Sequence, residues 1–357
     1  MLFLYPDDVK GIVSIKEAID AVRTAFHDWG NNKALNAPRR RIHAPSGVRV
    51  SVHQGAAPSL GMTGLFKHTE LIRAFADRQE QLHRAHPMHI LLDSETGELR
   101  CIIIGEITCS ELPECYATTG IRTAATSIVG TQCLARKDAA SVGIFGGGRQ
   151  AKQHLAGLMK VRNLKLAKVY RRNSEQKKLF AEEMARTFNI EVIPCDSPRE
   201  VCKGVDVILA VTNSSVPVFD GSWLEPGQHV TSIVGSNVGL VMGGFASKKR
   251  RELDDATLSR ANVIVVTSRE QAIQDEQGDL FDPVKSGIVK WEDMIDLADL
   301  VAGHADGRAA DEQITLFKNN AGQGIADMAV GSRVYSNARE KGLGKELEVG
   351  LPTYFDN

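Results

Sequence analysis

The feature that most constrains this chain is a glycine-rich turn between an apolar strand and a helix. The apolar residues 141–145 are followed by a segment that fits the pattern G-x-G-x-x-[GA], made of Gly146, Gly147, Gly148, Arg149, Gln150 and Ala151. Gly146 permits a tight turn, Gly148 lets the backbone approach a pyrophosphate, and Ala151 allows close packing of helix and strand. The pattern predicts a dinucleotide-binding unit whose helix N-terminus faces the phosphates.

Strands and helices alternate after this turn. Apolar, β-branched runs at 168–170, 191–193, 206–211, 230–234 and 263–266 are separated by helical stretches. This alternation is typical of an α/β fold with a Rossmann doubly wound parallel sheet. After about residue 311 the pattern weakens, which predicts a return to the first domain.

The region before the glycine turn has a different texture. A capping box at Ser14 and Glu17 begins an amphipathic helix, and short apolar runs with Gly and Pro fill 49–99. Residues 88–92 and 99–104 are predicted to form a hairpin. We therefore expect an α+β substrate-binding and dimerisation domain from both chain ends, 1–125 and 312–357, and a Rossmann domain over 126–311.

Composition limits the classes of partner. A formal net charge of -1 gives no electrostatic reason to expect nucleic acid or an anionic membrane as a partner. No run approaches the roughly 18 apolar residues of a membrane helix, and the first residues are too quickly acidic for a secretory signal. The six cysteines are scattered without zinc-type pairs, so no metal is expected. These features predict a cytoplasmic protein with reduced thiols.

The end of the second Rossmann strand indicates which dinucleotide binds. NAD enzymes usually carry an acidic residue there, but this chain has Arg171, Arg172 and Asn173 after Tyr170. Guanidinium groups bind a phosphate through paired hydrogen bonds. We therefore expect NADP(H) to be favoured, with NAD(H) as the alternative.

Several segments, in order over about residues 5–340, resemble the ornithine cyclodeaminase/mu-crystallin family. The most specific is Gly120-Ile-Arg-Thr-Ala-Ala-Thr-Ser127, one helix before the glycine turn; the others lie at 64–67, 211–212, 224–227, 251–254 and 315–318. The family includes cyclodeaminases, NAD(P)H-dependent ketimine reductases, amino-acid and opine-type dehydrogenases and a lens binding protein. The resemblance implies a Rossmann domain, a substrate domain from both chain ends, and a homodimer.

The resemblance also implies site residues. Lys67 is similar to the family's active-site lysine, Arg122 to an arginine that binds the substrate carboxylate, and Arg40 to a second one, although Arg39 and Arg41 are adjacent. Two guanidinium groups fix a carboxylate well, and a nearby lysine can protonate an imine nitrogen. The remaining dinucleotide contacts are expected at Thr123, Val211, Thr212, Gly235, Ser236 and Lys318. His53 and His68 flank this region and are left out of the predicted site, because a histidine there is more often a satisfied polar residue.

Departures from the family pattern bear on the reaction. A cyclodeaminase has an aspartate after the fifth Rossmann strand, where this chain has Asn237, which we expect to contact substrate but which cannot accept a proton. Segments 108–119 and 238–247 also look lengthened. The leading hypothesis is therefore an NADP(H)-dependent oxidoreductase acting on the C–N bond of a 2-imino or 2-amino acid. The alternatives are an ornithine or lysine cyclodeaminase using bound NAD, and a binding protein without turnover.

Overall fold

The computed structural model describes residues 1–74, 79–83, 86–320 and 322–349. Within these ranges the helices are α1 (Ile15–Gly30), α2 (Gly120–Leu134), α3 (Arg149–Val161), α4 (Ser174–Phe188), α5 (Pro198–Cys202), α6 (Val238–Met242), α7 (Asp255–Arg260), α8 (Arg269–Gln274), α9 (Phe281–Lys285), α10 (Leu297–Ala302) and α11 (Gly324–Lys341). No described helix is both long enough and apolar enough to cross a bilayer.

The first sheet is built from the two ends of the chain. Its strands are β1 (Leu2–Leu4), β2 (Leu35–His43), β3 (Val48–Ala57), β4 (Met62–Ala74), β5 (Gln79–His83), β6 (Met88–Asp93), β7 (Leu99–Ile104) and β16 (Lys345–Glu346). They lie in the order β16-β1-β7-β6-β4-β3-β2, with β5 beside β4. The predicted hairpin is β6 with β7, and all pairs are antiparallel except β1 with β7.

The second sheet is parallel throughout. Its strands are β8 (Ser141–Phe145), β9 (Leu166–Tyr170), β10 (Glu191–Pro194), β11 (Val207–Ala210), β12 (His229–Ser232), β13 (Val263–Val266), β14 (Met294–Asp296) and β15 (Thr315–Lys318). The order is β10-β9-β8-β11-β12-β15-β13-β14, so the direction of winding reverses between β8 and β11. Dinucleotides bind at this kind of switch point. The predicted α/β fold class is confirmed.

One predicted boundary differs from the structure. β15 lies inside the second sheet, between β12 and β13, whereas the Rossmann domain was predicted to end at residue 311. Every residue of this four-residue strand is buried, so it has no alternation to mark it in the sequence. The chain therefore returns to the first sheet only after Lys318. Residues 350–357, the end of the predicted last segment, lie outside the described residues.

Helix α11 packs closely against the first sheet and brings Asp327 to it. A Cβ added to Gly324 would lie 2.1 Å from the Gln54 carbonyl oxygen, and one added to Gly55 would lie 2.4 Å from the Ile325 nitrogen. Only glycine permits backbone contact this close. The first turn of α11 therefore packs directly on β3 and presents Asp327 to the face of that sheet.

Candidate functional site

The glycine turn has the backbone geometry that its sequence predicts. Gly146 has a φ of +113°, and a Cβ there would lie 2.7 Å from the Val211 carbonyl oxygen. Gly148 is the N-cap of α3, and a Cβ added to it would meet open space. The thirteen-residue helix α3 thus begins where its free backbone N–H groups face the turn. This cradle fits the pyrophosphate of a dinucleotide.

A single cleft of 970 Å³ extends from this turn to the first sheet. Most of the predicted dinucleotide contacts line it, namely Gly146, Gly147, Gly148, Arg149, Gln150, Arg171, Arg172, Asn173, Val211 and Thr212. At its far end the lining residues are His68 and Glu70 of β4. The cleft therefore joins the nucleotide fold to the other domain. Ala151 lies fully buried beneath it, as its packing role requires.

The two arginines after β9 have different environments. Arg171 donates from Nη1 to the Gly147 carbonyl oxygen over 3.1 Å, which fixes its side chain beside the glycine turn. Arg172 is exposed at the cleft. No carboxylate is contributed to the cleft by residues 170–173, and the Asn173 side chain instead caps α4. The edge of the cleft after β9, called the rim below, thus presents the guanidinium groups of Arg171 and Arg172 to a ligand bound in the cleft.

Lys318 does not reach the cleft, so its prediction as a dinucleotide contact is wrong. Its side chain is fully buried, and Nζ donates to Asp279 at 2.6 Å, to Ser232 at 2.8 Å and to the Val234 carbonyl oxygen at 2.9 Å. A buried ammonium group is tolerated only with such partners. Lys318 therefore joins the carboxyl ends of neighbouring strands instead of binding a ligand.

Glu252 works with this pair to fix the loops that border the cleft. Its carboxylate accepts hydrogen bonds from the backbone nitrogens of Thr212, Ile233 and Val234 and from Ser232 Oγ. Burial raises the pKa of Glu252, although Lys318 opposes that rise. Glu252 thereby holds Thr212 at the cleft wall, although Glu252 is itself buried and does not line the cleft.

Three further predicted contacts lie away from the cleft lining. Thr123 is buried and accepts a hydrogen bond from Arg122, and Ser236 is buried and donates to the Asp275 carbonyl oxygen. Gly235 precedes it, and a Cβ added there would meet open space.

Asn237 is buried with both ends of its amide engaged. Its Nδ2 donates to the Lys248 carbonyl oxygen and its Oδ1 accepts from the Arg250 nitrogen. The prediction that it contacts substrate is therefore wrong: it closes the loop that contains α6.

Arg122 belongs to a buried chain of charged groups between the domains. It is 5% exposed, and its Nε donates to Asp327 Oδ1 over 2.9 Å. The other oxygen of Asp327 lies 2.8 Å from His53 Nδ1. Burial alone would raise the pKa of Asp327, but the charge of Arg122 and the hydrogen bond from His53 lower it to about 2. Asp327 is therefore ionised. His53 Nδ1 is the protonated ring nitrogen and donates its hydrogen bond to the Asp327 carboxylate.

The structure contradicts the prediction that Lys67 is in this site. On β4, Phe66 and His68 lie on the same face as His53, with ring centroids 5.3 Å and 5.8 Å from the His53 ring. Neighbouring residues of a strand point to opposite faces. Lys67 therefore points away from Arg122 and from the cleft, on the face that also carries Val52 opposite it on β3.

The same alternation corrects the second arginine. Arg40 is exposed and lies opposite Val52, on the outer face with Lys67. Arg39 is 7% exposed and lies on the inner side, where its Nη2 is 2.5 Å from Asp275 Oδ2. Arg41 is also inward and donates to the Ser236 carbonyl oxygen over 3.3 Å. Arg39 and Arg41, not Arg40, face the Rossmann domain.

Sequence reasoning missed the residues that surround Arg122. Burial lowers the pKa of His53 to about 4, with Asp327 opposing the shift, and lowers the pKa of His89 to about 4 and that of His68 to about 2. These rings are therefore neutral near pH 7. The available signal was the polar alternation of Arg49, Ser51 and His53 along one strand, which is unusual for a buried sheet face.

These features together define a dinucleotide-binding protein of the doubly wound α/β class with a charged, arginine-rich second domain. The chain belongs to the ornithine cyclodeaminase/mu-crystallin family, whose model matches residues 2–342. The resemblance seen in the sequence is thus confirmed.

The relatives include imine reductases. A Δ¹-pyrroline-2-carboxylate reductase from Bacillus cereus is 33% identical over 351 residues, covering 98% of this chain and 100% of the relative. The structure of Thermococcus litoralis Δ¹-pyrroline-2-carboxylate reductase, in complex with NADH and L-proline, is 28% identical with a TM-score of 0.79, covering 97% of this chain and 100% of that one. An archaeal alanine dehydrogenase dimer with bound NAD is 27% identical with a TM-score of 0.80, covering 98% and 99%. The dinucleotide bound by both relatives of known structure is thus a nicotinamide one.

Proposed function

We propose that this protein is an NAD(P)H-dependent oxidoreductase that reduces the C=N bond of a 2-imino acid. The observation that carries this proposal is the single cleft that joins the glycine turn to His68, next to the Arg122–Asp327–His53 chain. The related reductases act on a cyclic 2-imino acid, according to their names. When bound, the reduced dinucleotide supplies the hydride that C2 of the imine receives.

The chain's own residues hold the substrate and orient its nitrogen. We assign the 2-carboxylate to Arg122, which Arg39 is close enough to influence electrostatically. The substrate enters as the protonated iminium, so hydride addition to C2 completes the amine without a further proton; with the His53 proton on Nδ1 engaged by Asp327, Nε2 accepts a hydrogen bond from the iminium N–H and orients it. His53 thus orients the substrate nitrogen, in place of the protonating lysine that the sequence predicted at Lys67.

The test follows the absorbance of the reduced nicotinamide with cyclic ketimines and with 2-oxo acids plus amines. Substituting His53→Gln should lower kcat by about 10²-fold or more, because the iminium nitrogen loses the acceptor that orients it. The matched variant Lys67→Ala should retain wild-type kcat. Absence of turnover across the panel, with cofactor binding demonstrated by titration, would refute the proposal.

Cyclodeamination is less well supported by the site. An ionisable acid at position 237 would be needed to assist ammonia loss, and the amide there is locked between Lys248 and Arg250. Ammonia release from ornithine without net cofactor reduction would favour that alternative.

For the cofactor, we propose a preference for NADP(H), supported by Arg171 and Arg172 at the rim. Arg172→Glu should weaken NADPH binding by about tenfold or more and leave NADH binding nearly unchanged, because a charge-assisted contact to the 2′-phosphate is lost. Lys178→Glu, an equal charge change on the exposed side of α4, is the control. Equal loss of both cofactors in Arg172→Glu would contradict the preference.

We also propose a homodimer formed through the outer face of the first sheet. Leu65, Ile90 and Ile102 lie on this face and are only half-buried. One structurally similar relative is described as a dimer. Ile90→Glu should yield a monomer in light scattering, whereas an unchanged mass would exclude this face.

A further inference from the structure

One rung of the first sheet carries three side chains that each hold a polar atom without a partner. Arg41 on β2 lies opposite Ser51 on β3, and Ser51 lies opposite His68 on β4, so the three share the inner face. Arg41 Nε, Ser51 Oγ and His68 Nδ1 are buried and make no hydrogen bond within the described ranges. Because buried polar atoms are nearly always paired, this row indicates a place where a polar ligand binds.

The charges around the rung favour an anionic ligand. Arg39 is paired with Asp275, and Arg49 is paired with Glu70 through Nε at 2.5 Å. Arg41 has only a 3.8 Å approach to the same Asp275. Three guanidinium groups therefore face two carboxylates, and the surplus positive charge is located at Arg41.

A second cation, Arg250 of the Rossmann domain, lies close enough to Arg49 and Glu70 of the first sheet to interact with them electrostatically. The Ser236 carbonyl oxygen accepts from Arg41, and the next residue, Asn237, accepts from the backbone nitrogen of Arg250. The Arg250 guanidinium makes no hydrogen bond or ion pair in the part of the chain that the structure describes. Burial and the charge of Arg49 lower the pKa of Arg250. Arg250 therefore adds positive charge near Arg49, which lies two residues from Ser51 on the same strand.

We infer that the substrate carries a second carboxylate, bound by Arg41 and Ser51, in addition to the 2-carboxylate at Arg122. The inference rests on the proposed reductase function. Ser51 and His53 are two residues apart on one strand, so the second carboxylate would lie about 7 Å along the strand from the residue that holds the substrate nitrogen. This spacing suits a four- or five-carbon dicarboxylic imino acid, or an imine whose amine part bears the carboxylate.

Matched pairs of product analogues test this without turnover. In the presence of NADP⁺, calorimetry would compare L-glutamate with L-glutamine, and N-carboxymethyl-L-alanine with its amide. In at least one pair the acid should bind about 30-fold more tightly or better, the range for a buried charge pair. Arg41→Ala should abolish this discrimination, and Arg40→Ala, exposed on the opposite face, should preserve it. Arg41→Gln, which removes the charge but keeps a polar side chain, substitutes for the alanine variant if the latter does not fold.

The outcomes separate the inference from the proposed function. Equal or absent binding within both pairs overturns the second carboxylate site. Reduction of mono- and dicarboxylic imines with equal kcat/KM also overturns it, while leaving the reductase proposal intact. Failure to reduce any imine refutes the reductase proposal, and the binding pairs then decide the anion site alone.

Discussion

Replacing Asp327 by asparagine removes the one negative charge shared by Arg122 and His53. The 5% exposed Arg122 would keep its positive charge in a buried position without a counter-ion. Removing one partner of a buried ion pair costs about 3–5 kcal/mol. We expect the free energy of unfolding to fall by that amount, measured by urea unfolding followed by circular dichroism.

The control is Asp20→Asn, which breaks an exposed helix pair with Lys16 and should cost about 0.5 kcal/mol or less. The low pKa of Asp327 adds a pH signature. Because that pKa is about 2 in the folded chain against an ordinary 3.8, its contribution is complete above about pH 4 and is lost as the pH falls towards 2. The gap between wild type and Asp327→Asn should therefore be constant from pH 7 to pH 5. A loss below about 1 kcal/mol, or a gap that varies across this range, would refute the assigned charge network.

Three other predictions follow from the described contacts. Lys318→Ala should destabilise the chain by about 3–5 kcal/mol, because it leaves Asp279 buried without its cation. The double variant Lys318→Met with Asp279→Leu should recover part of that loss. Equal destabilisation in the single and double variants would contradict the pairing. The free energy of unfolding should decline as the pH falls from 6.5 towards 4. Burial lowers the pKa of histidines such as His154 to about 4, so in this range they take up protons only on unfolding. Urea midpoints that do not change with pH over this range would contradict the prediction. Cys101 should resist alkylation in the folded chain, since burial raises its thiol pKa to about 12, and rapid labelling without denaturant would contradict its burial.

Local sequence patterns were enough to predict the nucleotide-binding half of this protein. The glycine turn, its flanking strand and helix and the alternating elements are local patterns, and each is set by backbone geometry within a few residues. The predicted contacts from Gly146 to Gln150 and at Arg171, Arg172 and Thr212 accordingly line the cleft. The buried strand β15 was missed because its burial comes from neighbours far along the chain.

Long-range packing sets which side chains of the first sheet face the cleft. Side chains alternate with a period of two, so a shift of one residue exchanges the two faces, and the sequence gives no reference point for that choice. The reference comes from α11, which packs on β3 through Gly55 and brings Asp327 to His53. That contact joins residues 274 positions apart, and it places Lys67 and Arg40 outside while Arg39, Arg41 and His68 point in.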